Sequence, residues 1–406
     1  MSDQTPKIKF ASIQREAQKK PNAYEMSSKD HKYIDYGDDN AFPIHLIDLQ
    51  NNSSIHNTCI NAIVDGVVGE GLTSNVERAL ERANPYESWQ DIYRKVARDY
   101  KLFGGFALEV VWSNDGTKIA ETYHIDFSYL RAQEMDHRKM VQGYFLSDEW
   151  VKRYRDGKLS GQRIMNTEDL PYLPVYSPEK ALEEPNQIIY YKPYTPGQQY
   201  YPLPDYVGAL KVIELDAEVD NFHNNNIKNG LAPSIAITTY TNANDEERRV
   251  IEQMLRSQYG GSDNAGQMMY IDVDSPENAP TITPIPQNGA DDYYYNLNEM
   301  VTQKILTAHR ITSPMILGIK TSGQLGGRTE VIDAYLLLLN TVIKPYQQEI
   351  LAIFDMIFDV NYDGLVTLGV QQLKLFDDGT EEVDVVTSVE SEAGTDTELE
   401  EQIEQA

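Results

Sequence analysis

Cysteine is almost absent from this chain, since Cys59 is the only one among 406 residues. A single thiol excludes an intrachain disulfide and any metal site built from several thiolates. This scarcity is typical of proteins that assemble in a reducing cytoplasm. Residues 1–30 are polar and lack the apolar stretch of a signal peptide, so we do not expect secretion.

Long hydrophobic runs are also missing. The longest, residues 331–343, is interrupted by Asp333 and Asn340 and is shorter than the roughly 20 apolar residues that cross a bilayer. We therefore predict no membrane span. The hydrophobic and aromatic fractions, 41% and 10%, are those of a globular chain, and its length suffices for two or three domains.

Positive charge is scarce: 35 Lys and Arg face 63 Asp and Glu, for a net charge of −28. Residues 377–406 hold 12 of the acidic residues and no basic one, and removing those charges still leaves −16 on the rest of the chain. A surface that grips duplex DNA needs Lys and Arg to neutralise phosphates. The composition therefore argues against a DNA-gripping module.

Motifs for catalysis and metal binding are missing as well. The seven histidines include no pair at metal-ligand spacing, no Ser lies in a nucleophile elbow, and each histidine is predicted to be a surface or packing residue. Residues 359–364 match the start of a calcium-binding EF loop, but Val370 replaces the bidentate Glu of its twelfth position, which favours a turn that ends a helix. We predict no enzymatic activity, no cofactor and no metal.

What the sequence does contain is clear periodicity. Helical spacing covers residues 55–68 and 87–103, and alternation over residues 106–112 and 119–125, separated by Asn-Asp-Gly, predicts a β-hairpin. Six tyrosines and four prolines between residues 190 and 206 predict an extended connector held by its rings. Residues 1–40 show no sustained pattern and are interpreted as an arm.

Two helical patterns, residues 205–228 and residues from about 291 to 313, bracket a short strand, helix and strand insert over residues 234–285. A Gly-rich loop follows at residues 318–327, and helical spacing then continues to Phe358, with a kink expected at Pro345. The acidic end of the chain is too poor in large apolar groups to form a core and is predicted to be disordered.

Four segments occur in an order that resembles the portal proteins of tailed bacteriophages. They are Tyr-Gly-Asp-Asp-Asn at residues 36–40, Val-Val-Gly-Glu-Gly-Leu at 67–72, Asn-Gly-Leu-Ala-Pro-Ser at 229–234, and Thr-Ser-Pro-Met-Ile-Leu-Gly at 312–318. The resemblance spans most of residues 35–360. It implies an α+β subunit with a mixed α/β wing, two long stem helices that bracket a small α/β clip, and a long kinked helix after a Gly-rich tunnel loop.

The resemblance also implies a division of the chain. The arm would cover residues 1–40, the wing 41–203, the stem helices 204–230 and 289–313, the clip 231–288, the tunnel loop 314–329, the long wing helix with a reduced crown 330–375, and the disordered acidic tail 376–406. Two sites follow from the same likeness. The stem–clip junction would be Asn229, Gly230 and Pro233, and the DNA-facing part of the tunnel loop would be Lys320, Thr321, Ser322, Gly323, Gln324, Leu325, Gly326, Gly327 and Arg328.

A portal subunit would form a homo-oligomeric ring, a dodecamer in the family, at one capsid vertex of the virion after assembly in the host cytoplasm. Double-stranded DNA would pass through it without sequence specificity during packaging and ejection. The terminase large subunit, the head–tail adaptor and the major capsid protein would be its other partners. An acidic conduit is compatible with DNA that must slide without sticking.

Two other functions stay open from the sequence alone. An intracellular helical scaffold or adaptor could assemble through the same long helices without contacting DNA. A hydrolase with an unrecognised carboxylate site is disfavoured by the lack of a motif with suitable spacing. The acidic tail could bind a basic partner or could simply be a solvated end.

Overall fold

The computed structural model describes residues 23, 25–27, 32–153, 159–161, 164, 167–229, 235–239, 268–272, 290–319, 328–373 and 385–387. This part of the chain mixes helices and strands, so the predicted α+β class is confirmed. Among the described helices, none combines the length and apolar character of a membrane span.

The described chain up to residue 191 contains three α-helices and eleven strands. In chain order they are β1 (Glu25–Ser27), β2 (Ile34–Tyr36), α1 (Phe42–Asn52), α2 (Ser54–Val68), β3 (Gly71–Ser74), α3 (Trp89–Phe103), β4 (Phe106–Trp112), β5 (Ile119–Ile125), β6 (Leu130–Ala132), β7 (Gly143–Leu146), β8 (Val151–Arg153), β9 (Leu159–Gly161), β10 (Tyr172–Pro174) and β11 (Asn186–Tyr191). The hairpin of β4 and β5 has the predicted bounds.

All strand pairs in this half are antiparallel among the described strands. Strand β4 lies between β11 and β5, and β7 lies between β10 and β6. Helix α3 begins one residue after Ser88, which forms a reciprocal capping box with Asp91, and it ends at Gly104 in the left-handed conformation. These caps explain why the helix predicted over residues 87–103 starts at Trp89.

The rest of the described chain contains four α-helices, one π-helical turn and four strands. They are α4 (Leu210–Asn229), β12 (Ile235–Thr239), β13 (Met268–Asp272), α5 (Ala290–Ala308), α6 (Arg328–Leu338), the π turn (Leu339–Ile343), α7 (Lys344–Tyr362), β14 (Leu368–Gln371) and β15 (Val385–Thr387). Strands β12 and β13 are parallel, whereas β14 pairs antiparallel with both β3 and β15.

Buried apolar side chains from α2, α3, α7 and the β4 sheet form the main core. Its most aromatic part, which we call the aromatic core, consists of Trp89, Tyr93, Phe354 and Phe358, with ring centroids 4.7–5.9 Å apart in the Trp89–Phe358, Trp89–Phe354 and Tyr93–Phe354 pairs. Tilted and edge-to-face rings at such distances attract each other beyond their simple burial.

Residues near the N-terminus take part in this packing, although their sequence shows no periodicity. Tyr36 is buried, stacks on Tyr201 with 4.0 Å between ring centroids, and donates from its hydroxyl to the carbonyl of Pro202 at 2.7 Å. The buried Arg131 donates to the side chain and the carbonyl of Asn40. Because these partners lie 91 or more positions away in the sequence, local pattern could not reveal them.

The helix that follows the loop differs from its prediction in two ways. The expected kink at Pro345 takes the form of the π turn immediately before it, and Pro345 itself lies in the first turn of α7. Helix α7 then ends at Tyr362, because Asp363 is left-handed with φ 52° and Gly364 follows with φ 77°. The EF-like motif is therefore the helix-ending turn that the sequence favoured.

Part of the acidic end is ordered. Strand β15 falls inside the tail for which disorder was predicted, and it pairs with β14 over three residues. A backbone ladder of this kind does not require large apolar side chains, which explains why composition missed it. The remaining residues after 373 lie outside the described part of the chain.

Candidate functional site

Helices α4 and α5 lie side by side. Among their described side chains, burial falls with distance from the ends that join the rest of the protein. On α4, Ile213 is fully buried while Asn224 is exposed; on α5, Ile305 is fully buried while Tyr295 is 65% exposed. The two helices therefore emerge from the core as a pair. Beyond their far ends the chain leads into β12 and comes back from β13.

Three charged side chains join this pair to the core. Lys101 on α3, fully buried, donates to Asp205 Oδ1 at 2.7 Å and to Oδ2 at 3.0 Å, and Arg310 Nη2 donates to Asp205 Oδ2 at 3.1 Å. Asp205 precedes α4 and Arg310 follows α5. The carboxylate of Asp205 therefore ties the start of one helix to the end of the other and to α3.

The protein environment shifts the pKa values of these groups. Burial lowers the pKa of the Lys101 amine below its ordinary value, although Asp205 opposes that shift. Burial by itself would raise the pKa of Asp205, but the two cations outweigh it and hold that pKa below its usual value. Asp205 is therefore a carboxylate at neutral pH.

Two histidines from distant parts of the sequence meet beside this ion network. His56 Nδ1 lies 2.9 Å from His309 Nε2, and both rings are fully buried. Burial lowers the pKa of His56 to about 3, with Lys101 adding to the shift, and burial, Lys101 and His56 hold the pKa of His309 well below its ordinary value. Both rings are therefore neutral, one donating its N–H to the other.

The other nitrogen of each ring has no hydrogen-bond partner within the described part of the chain. The ring of Tyr206 covers the pair, with centroids 4.6 Å from His56 and 5.0 Å from His309. No group of three or more His, Cys, Asp or Glu side chains among the described residues is arranged to hold a metal. We call Lys101, Asp205, Arg310, His56 and His309 the helix base.

Polar contacts also join α4 to the first two helices. Asp216, on the buried side of α4, accepts a 2.6 Å hydrogen bond from Ser53, and Ser53 in turn caps α2 by accepting from the N–H of His56. His45 Nε2 lies 3.3 Å from Glu214. Helix α4 is thus held to α1 and α2 by side chains as well as by apolar packing.

The π turn packs against α2 at a glycine. A Cβ atom placed on Gly66 would lie 2.5 Å from Ile343 Cδ1, so a larger residue here would require the end of that side chain to shift. Gln347 Nε2 donates to the carbonyl of Val67 at 3.0 Å. On the opposite side, Leu336 and Leu337 of α6 are 46% and 49% exposed.

The family model described as "Phage portal protein" matches residues 65–367, a range that runs from α2 through both paired helices to the end of α7. This covers well over half of the chain. The protein belongs to the phage portal protein family.

A curated relative agrees with that assignment. The "Probable portal protein" of Haemophilus phage HP1 (strain HP1c1) is 28% identical over 150 residues, which are 36% of this chain and 43% of that relative. The aligned region therefore spans less than half of the relative's length.

Solved structures show the same fold at low sequence identity. A virion of the native gene transfer agent (GTA) particle aligns over 83% of this chain and 85% of the matched chain, with TM-score 0.53 and 14% identity. The neck of the empty GTA particle, computed with C6 symmetry, aligns over 80% and 83% with TM-score 0.53 and 13% identity. The neck of the native particle, computed with C12 symmetry, aligns over 80% and 82% with TM-score 0.51 and 14% identity.

Most site residues predicted from the resemblance lie outside the described residues. At the junction, Asn229 is the last residue of α4, and Gly230 and Pro233 fall beyond it. In the loop, residues 320–327 are likewise outside, and Arg328 begins α6 without a described side chain. What the structure does show is the entry to the loop, a short helical turn at Pro314–Leu317 capped by Ser313 and closed by Gly318 with φ 76°.

Sequence reasoning did not find the helix base. His56 and His309 are 253 positions apart, and Lys101 and Asp205 are 104 apart, so no local spacing connects them. The one usable signal was Lys101 on the buried side of an amphipathic helix, because a lysine there requires a partner.

Proposed function

We propose that this protein is the subunit of a closed ring, a dodecamer, that occupies one capsid vertex and forms the channel for DNA packaging and ejection. The observation that carries the proposal is the family match over residues 65–367. Its range includes α4 and α5 and the strands between them. In this proposal α4 and α5 are the stem helices, β12 and β13 belong to the clip, and residues 314–329 form the tunnel loop.

A ring of identical subunits needs two different complementary surfaces on each copy. The paired helices support this because the part of α5 that lies away from the core keeps two large apolar side chains exposed: Tyr295 is 65% exposed and Met300 43%. Exposed apolar side chains of this size are suited to burial against neighbouring copies. The base of the pair is rigidly held, so the subunit presents these surfaces in a fixed direction.

The net charge of the chain is suited to the passage of DNA and is not suited to tight binding of DNA. The net charge of −28 opposes persistent attachment of DNA phosphates to the chain as a whole. Double-stranded DNA would pass without sequence specificity, and brief contacts would come from the few basic residues of the loop, Lys320 and Arg328. The terminase large subunit, the head–tail adaptor and the major capsid protein are the proposed protein partners, and the motor partner would supply the ATP hydrolysis.

Electron microscopy of the purified full chain tests the ring. We expect annular particles with an open axial channel and twelve-fold symmetry, together with a native mass that fits a dodecamer of the 46.2 kDa subunit. Small compact oligomers without a central hole would contradict the proposal and favour the scaffold or adaptor alternative.

The tunnel loop needs a separate test. Replacing residues 320–328 by a Gly-Ser linker of equal length should leave ring assembly intact and reduce the DNA packaged per capsid, because the basic contacts and the loop shape are lost together. A linker of the same length placed at residues 388–396 of the acidic tail is the control. Normal packaged DNA in the loop variant would rule out a role of this loop in packaging.

A further inference from the structure

Arg310 has an unusual backbone for an arginine. It follows α5 with φ 59°, in the left-handed region that glycine normally occupies at the end of a helix. The N–H of Arg310 donates to Thr307 and that of Ile311 donates to Leu306, each at 3.0 Å, which is the Schellman pattern of a helix end. Ile311 and Leu306, its accompanying apolar pair, are both buried.

The side chain of Arg310 explains why glycine does not occupy this position. Its guanidinium donates to Asp205 Oδ2 at 3.1 Å, just before α4, and Nη1 lies 3.5 Å from the carbonyl oxygen of Thr341 in the π turn. In a regular α-helix, the N–H of the residue at position 345 would donate to this carbonyl oxygen of Thr341. Since Pro345 has no N–H, the oxygen is left without that donor and accepts from Arg310 instead.

One side chain thus connects three points of the backbone: the start of α4, the end of α5 and the π turn. The turn at residues 311–319 and helix α6 lie between the last two points, and they contact each other. Among the described side chains of α6, Tyr335 and Leu338 are buried, Val331, Ile332 and Ala334 are partly buried, and Leu336 and Leu337 are about half exposed.

We propose that Arg310 is a positioning residue that fixes the turn at residues 311–319 and helix α6 relative to the base of the paired helices. The proposal rests on the proposed portal function in one respect, namely that these two segments border residues 320–327 of the tunnel loop. If the residue at position 310 served only to end α5, glycine would be the better residue there. Arginine tolerates the left-handed backbone here because its guanidinium restrains the segments on either side of the loop.

The test compares Arg310→Gly with the unmodified full chain by hydrogen exchange. Glycine relieves the left-handed backbone and preserves the helix end, so Arg310→Gly separates the capping role from the positioning role. We expect exchange in residues 311–319 and 328–338 to become roughly fivefold faster, the effect of losing one half-exposed ion pair, while the melting temperature changes little.

Lys139 provides a matched control because it is another exposed basic residue with φ 59°. Lys139→Gly should leave exchange in both segments unchanged. A second variant, Arg310→Asn, tolerates the left-handed backbone but is too short to reach either acceptor, so it should reproduce the effect of Arg310→Gly. Unchanged or slower exchange in residues 311–319 and 328–338 of the two Arg310 variants would overturn the proposal.

A functional measurement distinguishes this inference from the proposed function. If Arg310→Gly forms normal rings but packages at least twofold less DNA, positioning of the loop is supported. If the unmodified protein forms no rings but exchange is still faster in Arg310→Gly, the positioning role stands and the portal function fails. Normal rings with unchanged exchange in the Arg310 variants refute the positioning role alone.

Discussion

The aromatic core and the inner part of the helix base, Lys101, His56 and His309, are both buried, but they are stabilised in different ways. In the aromatic core, the rings of Phe354 and Phe358 contribute apolar surface that needs no particular partner. In the helix base, Lys101 needs Asp205, because a buried ammonium without a carboxylate is costly. Burial of apolar surface therefore builds the body of the subunit, while a few directional contacts determine where the paired helices leave it.

The largest effect is expected in the aromatic core. Phe354→Ala should lower the free energy of unfolding by about 4 kcal/mol, since a fully buried ring is replaced by a cavity. Denaturant unfolding at pH 7.5 and pH 6.0 measures it, and the loss should be the same at both values. Leu336→Ala, at an exposed position, is the control and should change the free energy by less than about 0.5 kcal/mol. A strong pH dependence of the Phe354 effect would contradict the distinction between the two regions.

Asp205→Asn should have a somewhat smaller but still severe effect in the helix base. The substitution leaves the buried Lys101 amine without its counter-charge and should cost about 3 kcal/mol of unfolding free energy. Glu218→Gln, which removes an exposed carboxylate from α4, is the matched control. If Asp205→Asn proved as mild as this control, the ion network would not hold the paired helices.

Acid should destabilise the helix base before it affects the aromatic core. The pKa values of His56 and His309 are depressed in the folded protein, so the unfolded chain binds protons that the folded chain does not. Stability is then fully present above about pH 6.5, the ordinary histidine value, and falls as the pH decreases toward the folded pKa of about 3 for His56. The slope should approach about 1.4 kcal/mol per pH unit for each histidine.

Unfolding measured between pH 7 and pH 5 checks this slope. Burial raises the pKa values of Asp99, Asp216 and Glu109, and these groups are the same in every protein compared. The double variant His56→Gln and His309→Gln should flatten it, whereas His137→Gln, at an exposed position, should not. The other charges beside the pair, Lys101 and Asp205, remain in all three proteins. An equally steep slope in the double variant would show that other groups cause the acid sensitivity.

The smallest effect is expected where the π turn meets α2. Gly66→Ala would push a methyl group against Ile343 Cδ1, the movable end of a side chain, and should cost about 1 kcal/mol. Gly208→Ala, which has open space around it, is the control for general effects of alanine on the backbone. Equal melting temperatures of the two variants would mean that the π turn moves away from α2 without cost.

Much of the local structure could be predicted because its causes are local. The hairpin of β4 and β5 follows from alternation around Asn-Asp-Gly, and α3 follows from helical spacing over residues 87–103, although its Ser88 cap was not predicted. The tunnel loop and the stem–clip junction remain predictions, since they rest on the resemblance and lie mostly outside the described residues. The end of α5 was placed five residues too late, because a left-handed Arg310 is not a residue that sequence rules expect at a helix end.

By itself the sequence determined the α+β class, the hairpin of β4 and β5, the approximate positions of helices α2 to α5 and the likeness to portal proteins. Periodicity, turn residues and motif order are properties of neighbouring positions. Only the tertiary structure decided that Lys101, Asp205 and Arg310 form one network and that His56 meets His309. Those contacts depend on how distant segments fold onto each other. The energetic effect of a buried charge therefore depends on the tertiary structure, since a buried cation is stable only where folding brings a carboxylate to it.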